Sequence, residues 1–237
     1  MNEKYELTEE FKEIETLREG WLQKIKVYRI RALRAFADVK IGDLGGFVET
    51  KQNLSNMGNA WVYDNAEVYG DAWVRNNAWV CGDARVCGNA EVCGDAKVCN
   101  NARVYGNARV CDNAEVCGDA KVCNNARVYG NARVCDNAKV YGNAEVCGDA
   151  KVCDNANIFW CSSIGSRHAT TTMFRNKDNG ITVTCGCFMG TLEEFAERVE
   201  KEHGENIFGK EYKLLIELAK IHFGLQDETK GEEENGI

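Results

Sequence analysis

The central part of the chain repeats one pattern of apolar and polar positions every six residues. Alanine recurs at this interval from Ala60 to Ala156, which makes seventeen hexads, and a valine stands two positions after each alanine from Val62 to Val152. Residues two apart share one face of a strand, and a period of six fits neither a helix nor a long alternating strand. Each hexad therefore predicts a short strand that points its alanine and valine inward, followed by a corner.

The corner of each hexad is occupied by Gly, Asn or Asp, after a position that usually holds Cys or Tyr. These three residue types tolerate the positive φ that a sharp bend requires. The chain contains no proline, as expected if the strand N–H groups all pair with a neighbouring strand. The pattern thus predicts a solenoid whose successive coils stack.

The hexads resemble the hexapeptide-repeat, left-handed parallel β-helix family, in which three hexads form one triangular coil. The resemblance covers residues 59–160 and implies a mainly β fold with about six regular coils. With eighteen residues per coil, the variable residues between alanine and valine form three outward rows. Five cysteines fall in one outward column, which we term the thiol column: Cys81, Cys99, Cys117, Cys135 and Cys153.

The segments on either side of the hexads have the character of caps. We expect an N-terminal segment at 1–26, containing a short polar helix at 7–20, and irregular coils at 27–58. Beyond the solenoid at 59–160 we expect a small α+β cap at 161–225, with a hairpin turn at 178–180 and helices from Thr191 and over 210–223. The tail at 226–237 is acidic and lacks an apolar pattern, which predicts disorder.

Composition narrows the classes of function. The 237 residues include 37 acids and 29 bases, a net charge of -8, which argues against nucleic acid as a partner. The charged N-terminal stretch has no apolar core, so we expect neither a signal peptide nor a membrane span. A cytoplasmic protein, in the host cell if it is phage-encoded, would keep its thirteen cysteines as reduced thiols.

The flanking segments carry a second resemblance. The stretches RIRAL (29–33), GDLGGFVE (42–49), IGSRHATTT (164–172) and CGCF (185–188) are similar to proteins of phages and prophages that contain such a solenoid. The resemblance implies a mobile-element setting more than an activity. We interpret the chain as a non-catalytic binding or assembly module, without a cofactor, that presents a rigid β-helix to a protein partner. A dimer or trimer of the chain, and interference with a host factor or defence system, belong to this interpretation.

An enzyme or small-ligand binder is the alternative. Many hexapeptide β-helices are trimeric acyltransferases with a catalytic histidine, but here His168, His203 and His222 all follow the coils and no loop interrupts the hexads. An acyltransferase-like enzyme, or a binder of a nucleotide or small anion, would therefore use the C-terminal cap. The candidate ligand-binding residues, which supply hydroxyl and cationic donors, are Arg167, His168, Thr170, Thr172 and Arg175.

Two further sets of residues are candidates for binding. Cys185 and Cys187 are two apart on a predicted strand and would share a face, with His203 as a further metal ligand. Aromatic and arginine side chains, which protein interfaces enrich, give the candidate partner-binding set: Trp61, Trp73, Trp79, Arg103, Arg109 and Arg127. The tryptophans have a second interpretation, packing under the N-terminal cap.

The thiol column also has two interpretations. A row of thiols is suited to soft metal ions. Alternatively, cysteine is simply a small residue that a strand accepts, because tyrosine takes the same hexad position in other coils.

Overall fold

The computed structural model describes residues 3–18, 20–153, 157–176 and 178–225. The chain is mainly β, with a parallel β-solenoid of about six turns and a small C-terminal region of strands and helices, as the sequence predicts. It divides into two compact units, Met1–Asn155 and Ala156–Ile237. The handedness of the coil and the segment boundaries given above stay predictions.

Each solenoid strand consists of a valine and the residue before it. The strands of the first unit are β1 (Tyr5–Arg18), β2 (Trp21–Ala32), β3 (Leu44–Val48), β4 (Trp61–Val62), β5 (Glu67–Val68), β6 (Trp73–Val74), β7 (Trp79–Val80), β8 (Arg85–Val86), β9 (Glu91–Val92), β10 (Lys97–Val98), β11 (Arg103–Val104), β12 (Arg109–Val110), β13 (Glu115–Val116), β14 (Lys121–Val122), β15 (Arg127–Val128), β16 (Arg133–Val134), β17 (Lys139–Val140), β18 (Glu145–Val146) and β19 (Lys151–Val152).

The strands of the first unit form three sheets, which we call faces A, B and C. Face A has the order β1-β2-β3-β5-β8-β11-β14-β17, face B the order β4-β7-β10-β13-β16-β19, and face C the order β6-β9-β12-β15-β18. Strands of successive coils pair in parallel and in register, so residues eighteen apart stack directly. The three outward rows that the sequence predicts are therefore confirmed.

The interior of the solenoid is built from the alanines and valines of the hexads. Each valine from Val62 to Val152 is fully buried, and the alanines from Ala60 to Ala150 are at most 2% exposed. The corners hold residues with positive φ, including non-glycine residues such as Asn100 (φ 60°). This confirms the prediction that Gly, Asn and Asp form the bends, because they adopt this conformation at low cost.

The N-terminal segment differs from its prediction. Strand β1, rather than the predicted helix at 7–20, is formed by Tyr5–Arg18; it pairs antiparallel with β2, and β2 pairs antiparallel with β3 at the start of face A. The apolar spacing of Phe11, Ile14 and Leu17 is compatible with a helix, but in the strand Phe11 lies opposite Tyr28 and Ile14 opposite Ile25. Backbone pairing with β2 therefore overrides the local pattern.

Side chains of the β1–β2 hairpin pack against outward side chains of the first coils of face A. Val27, Phe47 and Tyr69 form a buried cluster there, with Ile14 and Ile25 packed against it. These side chains would otherwise be exposed to water. The sheet of face A is therefore buried on both of its surfaces at the first coils.

The N-terminal end of the solenoid is closed by Lys4. This side chain is fully buried, and its Nζ donates a hydrogen bond to the carbonyl oxygen of Ala60 at 2.8 Å. Tyr5 and Phe36 pack edge-on against Trp61 at the same end. Burial lowers the pKa of Lys4 to about 8, with a contribution from the nearby charge of Arg34.

The second unit is a four-stranded antiparallel sheet with two helices. Its elements are β20 (Ile158–Ile164), β21 (Ala169–Arg175), β22 (Ile181–Cys185), β23 (Phe188–Thr191), α1 (Leu192–His203) and α2 (Ile207–Phe223). The predicted hairpin at 178–180 is confirmed, since Arg175 pairs with Ile181. Ile158, which closes the series of hexads in the sequence, pairs with Phe174 in this sheet.

Both C-terminal helices begin at a side chain that caps them. Thr191 forms the predicted capping box with Glu194. The second helix starts three residues earlier than predicted because Asn206 accepts a hydrogen bond from Gly209 N at 2.9 Å. Among the described residues, no helix is long and apolar enough to cross a membrane. The tail predicted to be disordered, 226–237, lies outside the described residues.

Candidate functional site

A pocket of about 700 Å³ lies in the C-terminal unit, and it contains several of the predicted site residues. It is lined by the turns between β20 and β21 and between β22 and β23, by α1 and by Tyr212 of α2. Apolar rings contribute part of the wall, since Phe188 and Phe195 pack at a tilt with their ring centroids 5.3 Å apart. The charged lining residues are Arg167, Glu194, Glu197, Arg198, Lys201 and Glu202. This combination is suited to a small ligand with an apolar body and a charged group.

The inner wall of the pocket is held by Tyr212 and Cys185. Cys185 Sγ accepts a hydrogen bond from Thr171 Oγ1 at 3.2 Å and lies 3.7 Å from the hydroxyl of Tyr212. The ring of His203 is 5.7 Å from that of Tyr212. Burial, followed by the contact with Cys185, raises the pKa of Tyr212. The hydroxyl therefore stays protonated and acts as a neutral hydrogen-bonding group.

Cys185 and Cys187 do not share a strand face, which corrects the prediction. Strand β22 ends at Cys185, which pairs with Phe188, and Gly186 and Cys187 form the turn between them. Gly186 has φ of 60°, so the chain reverses before the alternation reaches Cys187. Both cysteines and His203 line the same pocket. Among the described residues, the sets of three or more ligand atoms close enough to hold an ion lie elsewhere, and the metal site in this unit stays a prediction.

The five predicted anion-binding residues are not brought together. Arg167 lines the pocket, whereas His168 is exposed in the turn before β21. The hydroxyls of Thr170 and Ser162 form a hydrogen bond, with their oxygens 2.9 Å apart, and Thr172 is buried. Arg175, at the far end of β21, donates to the carbonyl oxygen of Phe223 at 2.6 Å. Of this set, Arg167 alone faces the pocket, and anion binding stays a prediction.

The three tryptophans of the partner-binding set have different environments. Trp61 is 1% exposed beneath the N-terminal cap, so the expectation that it faces a partner is corrected. Trp79 is half-buried between Tyr63 and Lys97. Trp73 is 45% exposed, with the guanidinium of Arg75 over its ring at 5.0 Å. Trp73 is therefore the tryptophan of this set most open to a partner.

The three outward rows carry different charge patterns. On face C, Arg109 lies 2.9 Å from Glu91 and Arg127 lies 3.1 Å from Glu145. Face A instead stacks four cations in succession, which we call the basic row: Arg85, Arg103, Lys121 and Lys139. The basic row forms one wall of a groove of about 480 Å³, and the opposite wall consists of Asp83, Asn101, Asp119 and Asn137.

The acid at the start of the face A row is covered by the hairpin. Glu67 is 6% exposed. Lys12 Nζ lies 3.7 Å from its Oε1, and Arg85 Nε lies 3.1 Å from its Oε2 in an ion pair that lacks hydrogen-bond geometry. Within the part of the chain that the structure describes, Arg103 and Lys121 form no ion pair. The solvent-facing part of the row therefore has one sign of charge.

The solenoid cysteines are less open to solvent than alternation predicts. All thirteen cysteines are free thiols, and Cys93, Cys123, Cys135 and Cys147 are buried although alternation from the inward valine places them outside. On face C, Cys93 Sγ lies 2.7 Å from Cys111 Sγ, and this hydrogen bond lowers the pKa of Cys93 to about 7. Burial raises the pKa of Cys135 to about 12. Thiols at the same hexad position on different faces thus differ widely in how readily they ionise.

Sequence reasoning missed most of the pocket. Tyr212 stands on the buried side of α2, and Arg198 and Lys201 stand on the exposed side of α1. The helical periodicity identifies those two sides but not the strand turn that they face. The buried Lys4 was also missed, because a lysine next to the chain start ordinarily lies in water.

Stacked hexads with in-register sheets define the chain as a parallel β-solenoid protein. Its central repeats match the model of the YdcK beta solenoid repeat at three overlapping or adjacent windows, residues 96–112, 102–118 and 120–136. The chain is similar to that repeat family over these windows, all of which lie within the regular coils. No curated protein matches the chain.

Proposed function

We propose that the chain is a non-catalytic binding or assembly module whose basic row docks on an acidic surface of a protein partner. The single observation that carries this proposal is the groove on face A, where four stacked cations line one wall. A rigid solenoid holds these charges at a repeat of ~4.8 Å, the distance between paired strands. Little conformational entropy is then lost when a partner aligns with the row.

The contrast between the three faces supports this surface over the others. On faces B and C a glutamate stands next to the cations of each row, where Arg133 pairs with Glu115 at 3.1 Å and Arg109 with Glu91 at 2.9 Å, and no more than two cations follow one another. Stacking like charges across neighbouring strands is destabilising. The chain nevertheless keeps four cations in sequence on face A, and an acidic partner would relieve their mutual repulsion.

The opposite wall of the groove restricts what can bind there. Its side chains are linked along the solenoid, as when Asn101 Nδ2 donates to Asp119 Oδ1 at 3.1 Å. Two aspartates on this wall, Asp83 and Asp119, repel a continuous polyanion such as nucleic acid. A protein surface that places separate carboxylates against the cations, with donors against the aspartates, fits both walls.

The resemblance of the flanking segments to phage and prophage proteins supports a host protein as the partner. In that setting the module would act in the host cytoplasm, and interference with a host factor or defence system is the form of action that we propose. Assembly as a dimer or trimer is a separate part of the proposal. A solution mass measurement tests it, and a monomeric mass at working concentration would contradict it.

The test of the binding surface compares two charge reversals. The double variant R103E/K121E alters the basic row, and K97E/K151E alters face B by the same net charge. Tagged chains are used to capture proteins from host lysate at low and high salt, with quantification by mass spectrometry. A partner lost with R103E/K121E, retained with K97E/K151E and released by salt supports the proposal. Identical captured sets for the two variants would refute it.

A second candidate function rests on the pocket of the C-terminal unit. There Arg167 stands at a pocket of about 700 Å³ that Phe188 and Phe195 also line. We propose a nucleotide or another small organic anion as its ligand, bound through a charge-assisted hydrogen bond. A thermal-shift panel of nucleotides and coenzyme A tests this proposal. A shift that R167A removes without changing the melting temperature of the free protein supports it, and no shift with any compound counts against it.

A further inference from the structure

The thiol column stands apart from the equivalent positions on the other two faces. The same hexad position on face A alternates between tyrosine and cysteine, and on face C it is interrupted by an arginine and a tyrosine. On face B, Tyr63 occupies this position in the first coil, and cysteine then follows cysteine through five successive coils. This is the longest unbroken run of stacked cysteines on the three faces.

Backbone pairing holds the column in register along its length. Cys81 N donates to Val98 O at 2.9 Å, Cys99 N to Val116 O at 2.9 Å, and Cys135 N to Val152 O at 2.8 Å. Each thiol therefore projects from the same point of its coil. The column is therefore a preformed line of sulfur ligands whose spacing is fixed by the backbone hydrogen bonds between coils.

Two carboxylates complete two groups of ligands within the column. The ligand atoms of Cys99, Glu115 and Cys117 all lie within 4.8 Å of one another, and so do those of Cys135, Asp136 and Cys153. Glu115 belongs to the outward row of the same face and Asp136 to a corner with φ of 53°. Each group offers two sulfurs and one oxygen.

We propose that the thiol column binds thiophilic divalent cations of the Zn²⁺ and Cd²⁺ class, one ion at each of the two groups. Thiolate with carboxylate is a donor set that Zn²⁺ accepts. A tetrahedral ion with metal–sulfur bonds of ~2.3 Å separates its two sulfurs by ~3.8 Å. Thiols stacked at ~4.8 Å converge by ~1 Å through rotation about their side-chain bonds.

The charges around the first group are compatible with an ion. Arg133 Nε lies 3.1 Å from Glu115 Oε2, which leaves the other carboxylate oxygen for the metal. Cys99 and Glu115 are half-buried, so water can reach the ion and complete its coordination. The role is structural or in metal capture, and it does not depend on the partner-binding surface of face A.

The experiment uses the full, reduced chain titrated with Cd²⁺, followed by sulfur-to-metal charge-transfer absorption and by native mass spectrometry. The variants C99S/C117S and C135S/C153S each remove one group. The matched control, C87S/C123S, removes two thiols from the same hexad position on face A. We expect each column variant to bind one Cd²⁺ fewer per chain than the unsubstituted protein, and the control to bind the same number.

Two further measurements keep the proposal falsifiable if a double variant does not fold. The single variant E115Q keeps all thiols, and we expect it to weaken Cd²⁺ binding by about tenfold or more, since even loss of an outer-shell partner has that effect. Cd²⁺ should also raise the melting temperature of the unsubstituted chain, because it binds the folded state. Equal Cd²⁺ uptake by control and column variants, or affinity unchanged in E115Q, would overturn the proposal.

Discussion

Reversal of one charge in the basic row gives a direct measure of the repulsion stored on face A. Arg103 stacks between Arg85 and Lys121, and all three are cationic. The substitution Arg103→Glu replaces two repulsive neighbours with two attractive ones. The solenoid backbone is unaffected, because the residue points outward and is exposed.

The size of the effect follows from Coulomb's law. If the charged groups lie ~7 Å apart in water, each neighbouring pair contributes ~0.3 kcal/mol at 0.1 M salt after screening. Two repulsions lost and two attractions gained sum to ~1 kcal/mol of added stability, within the range measured for cross-strand charge pairs. At 1 M salt the Debye length is ~3 Å, so the gain should nearly vanish.

Urea unfolding of Arg103→Glu and the unsubstituted chain at both salt concentrations measures this difference. Arg109→Glu on face C is the matched control, because Arg109 lies between Glu91 and Arg127. Its reversal turns the attraction to Glu91 into a repulsion and the repulsion from Arg127 into an attraction, so the two changes oppose each other. We expect little change in its stability. A destabilised Arg103→Glu chain, or a gain that does not depend on salt, would refute the reasoning. A more stable chain that has lost its partner would show that the row is kept for binding at a cost in stability.

Three further predictions concern the solenoid itself. Because burial lowers the pKa of Lys4 to about 8, the unfolded chain binds more protons than the folded chain between that value and 10.5. The stability of the unsubstituted chain relative to Lys4→Met should therefore rise from pH 8 to 10.5 in urea unfolding, and parallel profiles would contradict this. Gly94→Ala should cost about 1–2 kcal/mol in thermal unfolding, since φ is 71° and the new Cβ would lie 2.7 Å from Asp112 N. Gly94→Asn should cost less, because asparagine holds the same corner in other coils; equal losses would count against the argument. Val104→Ala removes two buried methyl groups and should cost ~2 kcal/mol of global stability. Val152→Ala, on an edge strand, should mainly increase hydrogen exchange in the last coil, and an equal global loss would show that the coils do not unfold locally.

The solenoid was predictable because each hexad encodes its own geometry. The inward Ala60 and Val62, and the corner residue that follows, need no knowledge of the rest of the chain. The N-terminal hairpin was not predictable in the same way. Phe11, Ile14 and Leu17 are compatible with a helix or a strand, and the choice depends on pairing with β2.

The candidate sites show the same division between local and tertiary information. The basic row follows from arithmetic on the sequence, because parallel register stacks every eighteenth residue. The pocket does not, because Arg167, Cys187 and Tyr212 come from three elements whose contacts depend on tertiary packing. The turn at Gly186, which separates Cys187 from its expected strand face, depends on a backbone conformation that two-residue alternation does not contain.

The stacking of every eighteenth residue also limits how the chain can change in length. An insertion of three hexads adds one coil and leaves every downstream residue on its original face. An insertion of one hexad would still satisfy the interior, because alanine and valine keep their places, yet it would rotate all later coils by one face. If the hexad were inserted between Arg103 and Lys121, then Lys121 and Lys139 would leave the row of Arg103. The thiol column would be divided between two faces at the same point. Gains and losses of whole coils should therefore be tolerated among related chains. Insertion or deletion of a single hexad would preserve the fold but would disrupt both the basic row and the thiol column.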